Sequence, residues 1–198
     1  MSQRTDTQAP LTQAPAPGLR RQLATELFAA LPEMEEDVRI KPREGQHCLD
    51  FQRQLMFGTT PEEAVTFMAF ALQPRYAVWW GHECLQAAPD LLTDQDRQML
   101  ALIAAWVGEP DEDHRYAALD NGFAAKTRGA GAWLAIGAGW SGGSMSERGT
   151  PPVEVPPFLI GRALNAGVLT SLARVSQDKR RRMLDHYVSI AEVLAKSG

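Results

Sequence analysis

Helix-start signals recur along this chain, and strand signals do not. Thr60-Pro61-Glu62-Glu63 sets a capping threonine before a proline at the first helical position, with glutamate three residues after the cap. That pattern predicts a helix to about Leu72. Pro74 opens the next, which must stop before Pro89. Thr93 caps a third that closes at Gly108-Glu109-Pro110. Asp111, Glu112 and Asp113 suit the positive end of a fourth, with Asn121-Gly122 as its breaking point. Ser176 caps the last. Between them, residues 129 to 140 are Gly, Ala and Trp in helical order, and Ile160, Leu164, Val168, Leu172 and Val175 mark one apolar stripe. Towards the N-terminus, a helix is expected from Leu19, with Leu23, Leu27 and Leu31 at a spacing of four until Pro32. Val38 and Ile40 alternate, which predicts an extended stretch, and LDFQRQLMFG predicts a short helix closed by Gly58. No run alternates strongly enough to mark a strand, and no segment repeats. The expectation is an all-α, single-domain helical bundle of about six to eight helices.

The chain has 198 residues, of which 44% are hydrophobic and 22% charged, so it can bury a core. A net charge of −4 argues against non-specific nucleic-acid binding and against docking on an anionic membrane. Residues 1–18 are polar, rich in Thr, Gln, Ala and Pro, and predict a disordered tail before a helical domain at 19–198. The tail has no apolar run and is not a signal peptide. Arg20-Arg21 leads into an amphipathic, acidic segment rather than an export signal. The most apolar window, residues 131 to 140, is too short to cross a bilayer. A cytoplasmic location is expected. Cys48 and Cys84 are expected to be reduced thiols, with a single bridge between them left open.

One doublet carries the functional question. Neighbours on a helix point about 100° apart, so Trp79 and Trp80 cannot share a face. On a straight helix from Pro74, Arg75, Trp79, His82, Glu83 and Gln86 share one sector, with Tyr76, Trp80, Cys84 and Ala87 beside and opposite it. Trp80 is therefore expected inside and Trp79 in a polar stripe. Either another part of this chain covers Trp79, the 141–157 loop for example, or Trp79 anchors a partner. Tryptophan and arginine are enriched at binding hot spots, and Arg75 precedes Trp79 by one turn.

Motifs with chemistry are scarce. His47-Cys48 and His82-x-Cys84 lack zinc spacing, and two residues apart on a helix point away from each other, so no metal is expected. There is no nucleophile elbow, phosphate loop or dinucleotide fingerprint, so no catalytic or cofactor-binding residue is assigned. Lys179 to Arg182 form the one basic cluster and read as a solvated face. Pro151-Pro152 and Pro156-Pro157 flank VEV as a stiff strap. Gly131, Ala135 and Gly139 form a small stripe beside a wider face of Trp133, Ile136 and Trp140.

Three segments together, TPEEAVTFMAFALQPRYAVWWGHEC, WSGGSMSERGTPPVEVPPF and GRALNAGVLTSLARV, resemble an uncharacterised bacterial family of domain-of-unknown-function status. Its marks are a proline-opened Val-Trp-Trp helix and a Gly- and Pro-rich loop. The matching positions are Pro74, Arg75, Ala77, Val78, Trp79, Trp80, Cys84, Gly142, Gly143, Pro152 and Pro156. The resemblance covers roughly residues 20 to 195 and implies a loose association with type VI secretion loci, but no activity. The expected work is non-enzymatic: a protein-binding accessory or adaptor that contacts its partner through Arg75, Trp79, His82, Glu83, Pro152 and Pro156. Two alternatives stand beside it. One is an enzyme with a polar cleft at His82 and Glu83, joined by Asp113. The other is a structural homo-oligomer built on the Gly131/Ala135/Gly139 stripe.

Overall fold

The computed structural model describes residues 15–197. Among them nine α-helices follow one another: α1 (Ala24–Ala30), α2 (Cys48–Met56), α3 (Glu62–Ala71), α4 (Pro74–Gln86), α5 (Asp94–Gly108), α6 (Glu112–Ala124), α7 (Ala130–Trp140), α8 (Pro157–Ala173) and α9 (Gln177–Lys196). Short 3-10 turns at Pro32–Glu36 and Pro89–Leu91 join them. No strand occurs among the described residues, only three isolated bridges. The fold is all-α and single-domain. The nine helices are one more than the upper expectation, and the two nearest the N-terminus, α1 and α2, are short, of 7 and 9 residues. No described helix is long and apolar enough to cross a membrane.

The centre is α7, which packs on α5, α6 and α8 and touches α4. Its glycines explain why. A Cβ on Gly131 would meet Asp96 Cα of α5 at 2.8 Å, and one on Gly139 would meet Leu119 Cβ of α6 at 2.5 Å. Small residues bring helix axes closer than leucine would allow, and the burial recovers what glycine loses in propensity. The stripe offered for a homo-oligomer is thus consumed within the chain, with Ala135 fully buried. The wider face divides: Ile136 is buried, whereas Trp133 and Trp140 are only half-buried. A second apolar centre joins Phe28, Phe51 and Phe67 from α1, α2 and α3, with ring centroids 5.0 to 6.5 Å apart.

Several local expectations change. Residues 15–18 do not belong to a free tail: Ala16 is buried, Gly18 N–H donates to Ala195 O at 2.9 Å, and Gly18 O accepts from Gln73 N–H at 2.8 Å. The rest of the proposed tail, residues 1–14, lies outside the described residues. The first helix starts at Ala24 rather than Leu19, because residues 18–20 run against 71–73. Val38 to Lys41 is irregular rather than extended, with Val38 inside. Thr60 does not cap α3; Pro61 stands at that position without a side-chain cap bond. Asn121-Gly122 does not break α6, because the missing Cβ at Gly122 admits the α7 backbone: a Cβ there would lie 3.0 Å from Ile136 N. Thr93 does form the capping box with Asp96.

Candidate functional site

The Trp79–Trp80 doublet sits on a regular turn of α4, opened by Pro74 at its first position. The two rings part as the helical period requires. Trp80 is wholly buried, and its Nε1–H donates to the Tyr187 carbonyl of α9 at 2.9 Å. Trp79 is half-buried, and its indole stacks on the His82 ring one turn later, centroids 4.6 Å apart and planes at 10°. This stacking corrects the expected polar stripe. His82 is buried rather than exposed, because Trp79 covers it. Its Nδ1 lies 2.9 Å from Glu83 Oε1.

Arg75 is exposed but engaged. Its Nε and Nη2 donate to Val107 O at 3.0 and 2.6 Å, capping the carbonyl end of α5 where a cation is favoured. Arg75 and Trp79 both line a groove of about 540 Å³, with Gln73, Tyr76, Val107 and Leu194 as the other walls. The α4–α5–α9 junction builds it. The 141–157 loop supplies none of those six walls, so it is not the cover for Trp79.

The six expected contact residues therefore separate. Arg75 and Trp79 share the groove. His82 touches Trp79 but opens onto a different cavity of about 390 Å³ beside Gln86, Leu92 and Arg97. Glu83 joins His82 alone. Pro152 is exposed and Pro156 half-buried in the distant loop. That loop is strapped to the bundle by a residue the sequence did not single out. Arg115 of α6, 1% exposed, donates to Gly139 O at 2.6 Å, to Ser144 O at 2.8 Å and to the Glu112 carboxylate at 2.7 Å. Arg148 of the loop reaches Asp113 at 2.6 Å. Asp113 is thus held by the loop and does not line the cavity beside His82.

A second polar joint was also unseen. Asp96, 1% exposed, caps α5, accepts from Gly131 N–H of α7 at 2.8 Å and pairs with Arg174 at 2.6 Å. Burial works to raise its pKa, but the Arg174, Gly131 and Thr93 hydrogen bonds together hold it below the ordinary carboxylate value. The Thr93 cap was visible in the sequence, whereas its Asp96 half and Arg174, far along the chain, were not singled out.

Cys48 and Cys84 are free and buried. Burial, helped by Glu26, pushes the Cys48 thiol up to about 12, and burial, helped by Glu83, raises Cys84 as well. Both stay protonated at neutral pH and are poor nucleophiles or ligands. Glu109, Asp111 and His114 bring one ligand atom each within 4.8 Å of the others, but Asp111 already holds the His114 backbone and ring.

Residues 51–195 match a model described as a family of unknown function, DUF6931. The chain belongs to the DUF6931 family. The DUF6931 span runs from within α2 to the end of α9, so it contains the Trp79 groove and the loop but not α1 or Arg20-Arg21. No curated protein and no solved structure matches the chain.

Proposed function

We propose that this DUF6931 protein is a non-enzymatic, protein-binding accessory or adaptor, and that its docking surface is the groove beside Trp79. One observation supports the reading most: a tryptophan fixed on a rigid helix keeps part of its ring in a groove of about 540 Å³ rather than in the core. Such a ring offers large contact area at little entropic cost, because its stack on His82 already sets its rotamer. The walls specify the partner's chemistry. Tyr76, Val107 and Leu194 suit an apolar side chain, and the Arg75 guanidinium, with Nη1 not taken by Val107, suits a carbonyl or carboxylate beside it. On the family resemblance, the partner is a component of a bacterial type VI secretion machine, met in the cytoplasm.

The test is a pull-down from the native host with the intact chain and with Trp79→Ala. The expected result is one secretion component recovered by the intact chain and lost with Trp79→Ala, while both proteins melt within a few degrees of each other. Equal recovery by both overturns the reading.

A further inference from the structure

Arg20 and Arg21 open the described body, just before α1. Gly18 to Arg20 runs beside the α3–α4 turn: Arg20 N–H donates to Ala71 O at 2.8 Å, and Arg20 Nε donates to Leu72 O at 3.0 Å. This fixes the guanidinium by one edge. Arg20 Nη2 is out of reach of solvent and has no hydrogen-bond partner, and neither guanidinium has an ion-pair partner among the described residues. Arg21 Nη1 donates to Arg20 O at 2.8 Å, which holds the second cation beside the first. Burial above all, and then the Arg21 charge, pull the Arg20 pKa below its ordinary value.

An unpaired buried charge is costly, and chains ordinarily supply a carboxylate to it, as this chain does for Arg115, Arg162 and Arg174. Here both arginines instead line a depression of about 460 Å³ whose other walls include Leu27, Ala30, Leu31 and Pro157. The walls combine two cations with apolar side chains.

We propose that this depression binds a carboxylate carrying a short apolar group. The carboxylate sits against the Arg20 and Arg21 guanidinium groups, which both line the depression. The apolar group lies against Leu27 and Leu31. Free small acids and the acidic end of a peptide share this chemistry. The site is separate from the Trp79 groove, although Gln73 stands between them as a wall of both.

The test uses the full chain and hexanoate, by calorimetric titration and ligand-induced shift in melting temperature. Acetate, inorganic phosphate and a short peptide ending in leucine serve as comparison probes. Hexanoate is expected to bind saturably at one site, more tightly than acetate or phosphate. Arg20→Gln weakens it at least tenfold and Arg21→Gln less. Arg21 is exposed, so that variant keeps the question answerable should Arg20→Gln fail to fold. The leucine-ending peptide decides the source: tighter binding than hexanoate assigns the site to a peptide end, weaker binding to a free acid. No saturable hexanoate binding, binding unchanged in both variants, or phosphate binding in preference to hexanoate overturns the proposal.

Discussion

Trp79 and Trp80 differ by one peptide unit and by everything that matters energetically. Trp80→Ala removes a fully buried ring and the donor to Tyr187 O, so it should destabilise by about 3–5 kcal/mol, read as a shifted urea midpoint. Trp79→Ala loses a half-exposed ring and one stack on His82, so about 1 kcal/mol is expected in the same measurement. Asp96 gives a prediction in pH. Its folded pKa lies below the ordinary value of 3.8, so its contribution is present above the unfolded-state value and is lost as pH falls through the folded one. Stability should therefore drop on the acid side below about pH 4. Arg174→Met leaves Asp96 buried without its cation and should cost about 3 kcal/mol at neutral pH. Urea unfolding at a series of pH values should show a shallower acid-side drop for that variant, because Asp96 has lost a bond that held its pKa down.

At the scale of elements, α7 shows packing overriding propensity. Gly139→Ala should improve helix propensity by about 1 kcal/mol, yet its Cβ would stand 2.5 Å from Leu119 Cβ and 2.9 Å from Leu119 Cα, so overpacking of about 1–3 kcal/mol should win. Gly108→Ala, at the end of α5 with nothing within 4 Å of the new Cβ, should instead stabilise by about 0.5–1 kcal/mol. Differential scanning of the two variants should therefore move melting temperature in opposite directions. Equal shifts would mean that α7 does not press on α6 as described.

For the whole molecule, the long connection between α7 and α8 is held chiefly by one buried guanidinium. Arg115→Met keeps the stem and removes the bonds to Gly139 O and Ser144 O. Limited proteolysis should then cut within residues 145–155 faster than in the intact chain, and the melting temperature should fall, since Glu112 loses its partner too. The Pro152 and Pro156 region belongs to this strap. No residue of the strap lines the Trp79 groove.

Helix type and order were readable from local chemistry: Pro74 at a helix start, Thr93 as a cap, the four-residue spacings through α8, and the absence of sustained alternation. So was the parting of Trp79 from Trp80, because the helical period acts between neighbours. The buried state of His82, the division of Trp133 and Trp140 from Ile136, the consumption of the α7 glycine stripe, and the partners of Arg115, Asp96 and Arg20 were not readable. Each depends on groups distant in sequence, brought together only when helices pack, and a single chain's local pattern holds no record of which surfaces meet.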